Sequence, residues 1–306
     1  MQGVQKIMKE GILMLDGVIA APLTIFKDNG EIDYKETERY FEFLVGKGIS
    51  GLFACGTTSE GLSLNVKEHE EIFKIARSVT SNKAKVIANC SSLRIEESKE
   101  LVYIAKKAGV DAIATLPPLY YKVSEEEMIE YISQIVEYSK NLPAYVYNIP
   151  SLACNKVTIK VISTLLGKYE NFFGMKDSSG DFGEITRFVD LRKDFPKFEI
   201  AVGFDRAFFP MLMMGVNGTV SGPAAVFPEP FIEVYSFFKR GEFEKARKAQ
   251  EKLIKISAAV GEGYDMSALK KALQFRGFGN GKMRLPLMEY EGKDLRDKVK
   301  FAEKEI

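Results

Sequence analysis

Histidine is almost missing from this chain: His69 is the only one in 306 residues. A Ser-His-Asp triad or a histidine-based acid–base pair therefore has a single candidate. His69 falls in the first turn of an expected helix, "NVKEHEEIF", where a surface or packing role is the expectation. Cysteine is scarce as well. Cys55, Cys90 and Cys154 are odd in number and widely spaced, with no CxxC, which gives neither a disulfide framework nor zinc-ligand spacing. With so few nitrogen and sulfur ligands, metal catalysis is disfavoured and no metal or other cofactor is expected. No charge of one sign dominates: the net charge is +1, so composition argues for neither nucleic acid nor an anionic membrane as partner. No apolar run approaches the roughly 20 residues of a membrane helix. The N-terminal "MQGVQKIMKEGILMLDG" shows no apolar stretch followed by a small-residue cleavage site. A reduced, cytoplasmic setting is the expectation.

What is present is ordinary globular chemistry. The chain is 46% hydrophobic and 28% charged, and is long enough for one large α/β barrel or two smaller domains. Eight short apolar runs bounded by turn residues recur along it: 17–24, 51–56, 85–91, 111–118, 144–150, 172–177, 198–205 and 218–224. They are nearly continuous rather than alternating, as parallel strands covered on both faces are. Amphipathic segments lie between them. Two open with capping-box pairs, Asn65 with Glu68 and Ser124 with Glu127. "GKGISGLF", "KKAGVDAIA" and "MMGVNGTV" repeat one device, a helix ended by glycine and stepping into a strand. Eight strand–helix units in about 230 residues is the count of a (β/α)8 TIM barrel. A doubly wound open sheet competes, but "APLTIFKDNG" lacks the glycine cluster that a dinucleotide turn needs. The expected division is 1–228 for the strands and the first seven helices. Residues 229–306 then hold the last barrel helix and a C-terminal helical extension of the same domain.

In such a barrel the C-terminal ends of the strands build the site. That rule selects Thr57, Thr58, Ser59 and Glu60 after strand 2, Tyr120 and Tyr121 after strand 4, and Tyr147 and Asn148 at strand 5. It adds Lys176 at strand 6, Asp205 and Arg206 after strand 7, and Ser221 near strand 8. Paired carboxylates are scarce in this set, which weighs against glycoside hydrolysis.

Lys176 closes the apolar run "NFFGMKDSSGD", and a charged ammonium is costly to bury alone. A lysine attacks a carbonyl only when neutral; moving an amine from its reference pKa of about 10.4 to near 7 takes roughly 4–5 kcal/mol, which desolvation can supply. The plainer alternative is a strand-end lysine that reaches solvent or pairs with Asp177. Forming an imine requires an acid–base group within hydrogen-bond reach. Tyr147 ends the neighbouring strand and should face the same cavity, although it could simply pack the barrel. The "GTTSEG" turn offers two hydroxyls and several backbone N–H groups, a cradle for a small carboxylate, or else ordinary turn chemistry.

"GTTSEG", "YNIP" and "GMKDSSGD", in this order, resemble the motifs of the dihydrodipicolinate synthase/N-acetylneuraminate lyase superfamily. The resemblance runs from about Gly17 to the late helices. It implies a (β/α)8 barrel with extra C-terminal helices and a metal-free class I aldolase mechanism. Pyruvate would be held as an imine on Lys176, Tyr147 would carry protons, and Thr57 and Thr58 would bind the pyruvate carboxylate, with Thr57 counted beside Lys176 and Tyr147 in the catalytic group. It also implies a homotetramer in which Tyr120 or Tyr121 reaches a neighbouring site.

Departures from the family pattern narrow the expectation. Ser59 stands where the first motif usually has its last glycine. In the synthases the YNxP stretch continues Ser-Arg, and the arginine grips a carboxylate; here it continues Ser151-Leu152, as in the sialic acid lyases. Those lyases have Gly-Tyr-Asp-Glu after strand 7, and this chain has Gly203-Phe204-Asp205-Arg206. Ser221 matches a serine that contacts the sugar. The expectation is a lyase that cleaves a 2-keto-3-deoxy sugar acid to pyruvate and a hydroxyaldehyde, with Gly203, Asp205, Arg206 and Ser221 on the aldehyde side. The alternatives are N-acetylneuraminate lyase, a synthase, or a pyruvate-binding protein without turnover.

Overall fold

The computed structural model describes residues 13–81 and 83–306. The first twelve residues of the N-terminal stretch read above lie outside the described residues.

Eight parallel strands close into a barrel in sequence order: β1 Gly17–Ala20, β2 Gly51–Ala54, β3 Lys85–Asn89, β4 Ala112–Thr115, β5 Ala144–Asn148, β6 Phe172–Asp177, β7 Glu199–Val202 and β8 Gly218–Ser221. β8 pairs with β1 through Gly17↔Gly218 to Ala20↔Ser221, so no edge is left open. All eight expected runs contain a strand. The strands end two to four residues before most of the runs do, because the apolar sequence continues into the loops of the barrel mouth.

Side-chain alternation divides the apolar residues into two sets. Ile19, Phe53, Ile87, Tyr145 and Tyr147 point inward and form the barrel interior. Val18, Leu52, Val86, Ala144 and Val146 point outward, under the helices. A bulge sets the phase of β6: Ala144 pairs with Phe172, but the next residue, Tyr145, pairs with Gly174. The extra residue, Phe173, therefore brings Lys176 opposite Tyr147 and Asp177 opposite Asn148.

The outer layer is α1 Tyr34–Gly46, α2 Val66–Thr80, α3 Ile95–Ala108, α4 Glu125–Ser139, α5 Ile159–Lys168, α6 Phe182–Asp190, α7 Phe208–Met213 and α8 Pro228–Lys239. Both capping boxes form, at Asn65/Glu68 and Ser124/Glu127. Three helices follow: α9 Phe243–Ala259, α10 Met266–Phe275 and α11 Leu295–Glu305. Residues 229–260 read as one helical stretch in the sequence; the chain breaks it at Gly241, where φ is +73°. Among the described residues no helix is long and apolar enough to cross a membrane.

The end of the barrel opposite the mouth is plugged by Glu199, the first residue of β7. Its buried carboxylate accepts from Leu15 N at 2.7 Å and from the Tyr145 hydroxyl at 2.8 Å.

Candidate active site

At the C-terminal ends of the strands lies a pocket of about 260 Å3, lined by Thr57, Thr58, Tyr147, Lys176, Ser178, Gly203 and Asp205 among others. Lys176 is its central amine and is only 6% exposed. Its Nζ sits 3.8 Å from the centroid of the Tyr147 ring and 4.9 Å from that of Phe53, and the two rings meet edge to face at 5.8 Å. An ammonium in this place is held by aromatic faces rather than by a carboxylate. Asp177, its sequence neighbour, points to the other side of the strand. There it accepts from Asn148 Nδ2 at 2.6 Å and from Ser179 N and Oγ at 2.9 and 2.6 Å.

Burial pushes the Tyr147 phenol upward. The Lys176 charge and hydrogen bonding with Thr57, Lys176 and Ser178 outweigh it, so the net shift is below the ordinary phenol value. A buried phenol whose anion is stabilised by an amine and two hydroxyls is equipped to pass protons. Close approach is built into the backbone as well. A Cβ at Gly203 would fall 2.2 Å from Ser178 Oγ and 3.3 Å from Lys176 Cε.

The threonine turn follows β2. Ser59, the departure from the usual motif, is absorbed: its hydroxyl donates to Pro22 O at 2.5 Å and its carbonyl accepts from Thr24 Oγ1 at 2.7 Å. Glu60 adopts φ +56° and is buried. It forms an ion pair with Lys270 of α10, and its second oxygen accepts from Arg284 N at 2.9 Å. Burial lowers the Lys270 pKa, and Glu60 opposes that shift. The turn that presents Thr57 and Thr58 is thus anchored from outside by α10 and by the segment that follows it.

On the other side, burial pushes the Asp205 carboxyl up to about 7, against hydrogen bonds with Ser221 and Ser257 and the charge of Lys176. Ser257 Oγ donates to Oδ2 at 3.1 Å, and Gln250 Nε2 donates to the Asp205 carbonyl at 2.8 Å. Both partners belong to α9. Ser221 does not line the pocket; its oxygen accepts from Ala224 N at 3.1 Å. Arg206 also stands outside the lining. Its guanidinium is half exposed and pairs with Glu262, with Nε 2.9 Å from Oε1.

Tyr120 and Tyr121 are not in this pocket. They are 78% and 73% exposed and stack edge to face at 5.0 Å. Tyr120 instead borders a separate depression with His69, Leu93 and Leu152. His69 is buried, with Nδ1 3.0 Å from Asn65 O. Among the described residues no three His, Cys, Asp or Glu side chains converge as metal ligands.

Several lining residues escaped the sequence reading. Ser178, in the Lys176 motif, touches the Tyr147 system. Glu262, Gly263 and Tyr264 reach the pocket from the loop between α9 and α10, and Met266 from the first turn of α10. Their only sequence signal is the turn "GEG" between two helical stretches.

An amine and a phenol enclosed at the mouth of a (β/α)8 barrel place this chain with the barrel enzymes that make or break carbon–carbon bonds. The family model for the dihydrodipicolinate synthetase family matches residues 14–305, and the chain belongs to that family. It is 31% identical over 276 residues to a 4-hydroxy-tetrahydrodipicolinate synthase of Methanocaldococcus jannaschii, covering 90% of this chain and 93% of that one. The crystal structure of dihydrodipicolinate synthase from Thermotoga maritima superposes with a TM-score of 0.89 at 27% identity, covering 96% of this chain and 99% of that one. The dihydrodipicolinate synthase of Acinetobacter baumannii, complexed with pyruvate, superposes with a TM-score of 0.87 at 25% identity, covering 95% and 98%.

Proposed function

We propose that this chain is a class I aldolase that reversibly cleaves a 2-keto-3-deoxy sugar acid to pyruvate and a hydroxyaldehyde. The observation that carries the reading is the enclosure of Lys176, Tyr147 and Thr57 in one small pocket. The Lys176 amine attacks the 2-keto carbon, and the carbinolamine loses water to give an imine. Tyr147 carries the proton on and off the carbinolamine oxygen. It then takes the proton of the C4 hydroxyl as the C3–C4 bond breaks. The bonding pair passes into the imine as an enamine, and the aldehyde departs. Protonation of the enamine and hydrolysis release pyruvate and the free lysine. Thr57 and Thr58 hold the carboxylate throughout. In the resting site the rings of Tyr147 and Phe53 flank the amine.

Synthase activity is the second reading, favoured by the name of the M. jannaschii relative. Against it stands Leu152, which lines the pocket where a guanidinium would clamp a second carboxylate. Among the described residues Lys176 is the only cation in the lining. The exposure of Tyr120 and Tyr121 supports a homotetramer in which one of them serves a neighbouring site. Incubation with pyruvate and a panel of aldehydes decides between the two activities. Condensation with neutral hydroxyaldehydes is the expected result, and turnover only with an amino-acid semialdehyde would replace the aldolase reading by the synthase one.

A further inference from the structure

The outer wall of the pocket is made by a segment that the barrel itself does not supply. Residues 261–263 have three consecutive positive φ values, +84°, +54° and +80°, and the middle one belongs to Glu262 rather than to a glycine. A non-glycine residue in this region is held there by its surroundings. The loop carries Glu262 into the lining that also holds Asp205, and Arg206, the residue after Asp205, reaches it there. Both contacts from Arg206 fall on Glu262 Oε1, and Oε2 accepts no hydrogen bond among the described residues. Arg206, placed on the aldehyde side by the sequence, is therefore paired and lies outside the lining, and the pocket meets the carboxyl groups of Asp205 and Glu262 instead.

We propose that Glu262 sets the specificity of the distal subsite, admitting an uncharged, hydroxyl-rich aldehyde end and rejecting one that carries a phosphate or carboxylate. This rests on the aldolase reading above. Carboxylates accept hydrogen bonds from hydroxyls and repel anions. Asp205, braced by Ser257 and Gln250 of α9, stands beside Glu262 as the second acceptor.

Two substitutions test this, with pyruvate and either glyceraldehyde or glyceraldehyde 3-phosphate as substrates. Wild-type enzyme is expected to favour the neutral aldehyde. Glu262→Gln keeps the shape of the side chain, removes the negative charge and releases Arg206. The ratio of kcat/KM for the phosphorylated over the neutral aldehyde should rise about ten- to hundredfold, the range of a charge-assisted contact. Arg206→Gln leaves Glu262 unneutralised and should lower that ratio. Equal changes on both aldehydes would show a purely structural pair and overturn the inference, as would a wild-type preference for the phosphate. Reductive trapping of pyruvate on Lys176 separates the two levels. Labelled enzyme with an unmoved ratio removes this inference alone, whereas unlabelled enzyme removes the aldolase reading and the inference with it.

Discussion

Tyr147 and Lys176 are register partners on β5 and β6, with the amine nitrogen 3.8 Å from the centre of the phenol ring. The pairing depends on one extra residue, Phe173, in β6. Without that bulge the register of Ala144 with Phe172 would continue, and Lys176 would not stand opposite Tyr147. The meeting of amine and phenol is a property of the strands and not of flexible loops.

Incubation with pyruvate and borohydride should add one reduced pyruvyl group, at Lys176, and abolish activity, while chelators leave activity unchanged. Peptide mass mapping reads the position. A label on Lys270, the other buried lysine of this region, would move the reactive amine elsewhere.

Tyr147→Phe keeps the ring that flanks Lys176 and removes only the hydroxyl. The fold should persist, and both imine formation and carbon–carbon cleavage should slow by roughly 10²–10⁴-fold. Rapid-mixing kinetics separate the two steps. Near-normal turnover would transfer the proton to Thr57 or Ser178, the other hydroxyls on this phenol.

The Glu60–Lys270 pair is almost wholly enclosed, with side-chain exposures of 0% and 4%. Glu60→Gln or Lys270→Met alone should cost about 3–5 kcal/mol, because each leaves its partner's charge buried. The double variant should be less destabilised than either single one, and urea unfolding of all four proteins measures the coupling. The single variants should also raise KM for pyruvate, since the threonine turn loses its outer anchor. Strictly additive stabilities would show that the two charges do not depend on each other.

Glu199 gives the fold a pH dependence of its own. Burial raises its carboxyl from 4.5 to about 7, so the folded state holds a proton that the unfolded chain has released. Its stabilising contribution is fully present below pH 4.5 and is lost as pH rises to about 7, a change of about 3 kcal/mol. Glu199→Gln keeps an oxygen to accept from Leu15 N and presents its NH2 to the Tyr145 hydroxyl oxygen, which can accept; with no titratable group left, it should flatten this part of the stability profile. Urea midpoints at several pH values provide the measurement, and an unchanged slope would assign the titration to Asp205 or another group.

The strands were legible because burial on both faces leaves near-continuous apolar runs, and Lys176 stood out because such a run ended in a charge. The bulge at Phe173 was not legible, since an extra apolar residue in an apolar strand alters no pattern. Arg206 shows a second limit. A sequence places it next to Asp205 but does not reveal that Glu262, 56 positions later, occupies its guanidinium. The break at Gly241 was hidden for a similar reason, because helical periodicity continues on both sides of it.

The anchoring of the threonine turn also has an order in time. Glu60 and its cation are separated by 210 positions. A chain synthesised from its N-terminus can form several strand–helix units while Lys270 is still unmade. During that interval Glu60 lacks the charge that compensates its burial, and the carboxylate cradle is held only by its own backbone. The pocket is thus completed by residues made after the last barrel strand, and closing the eight strands does not by itself finish the site.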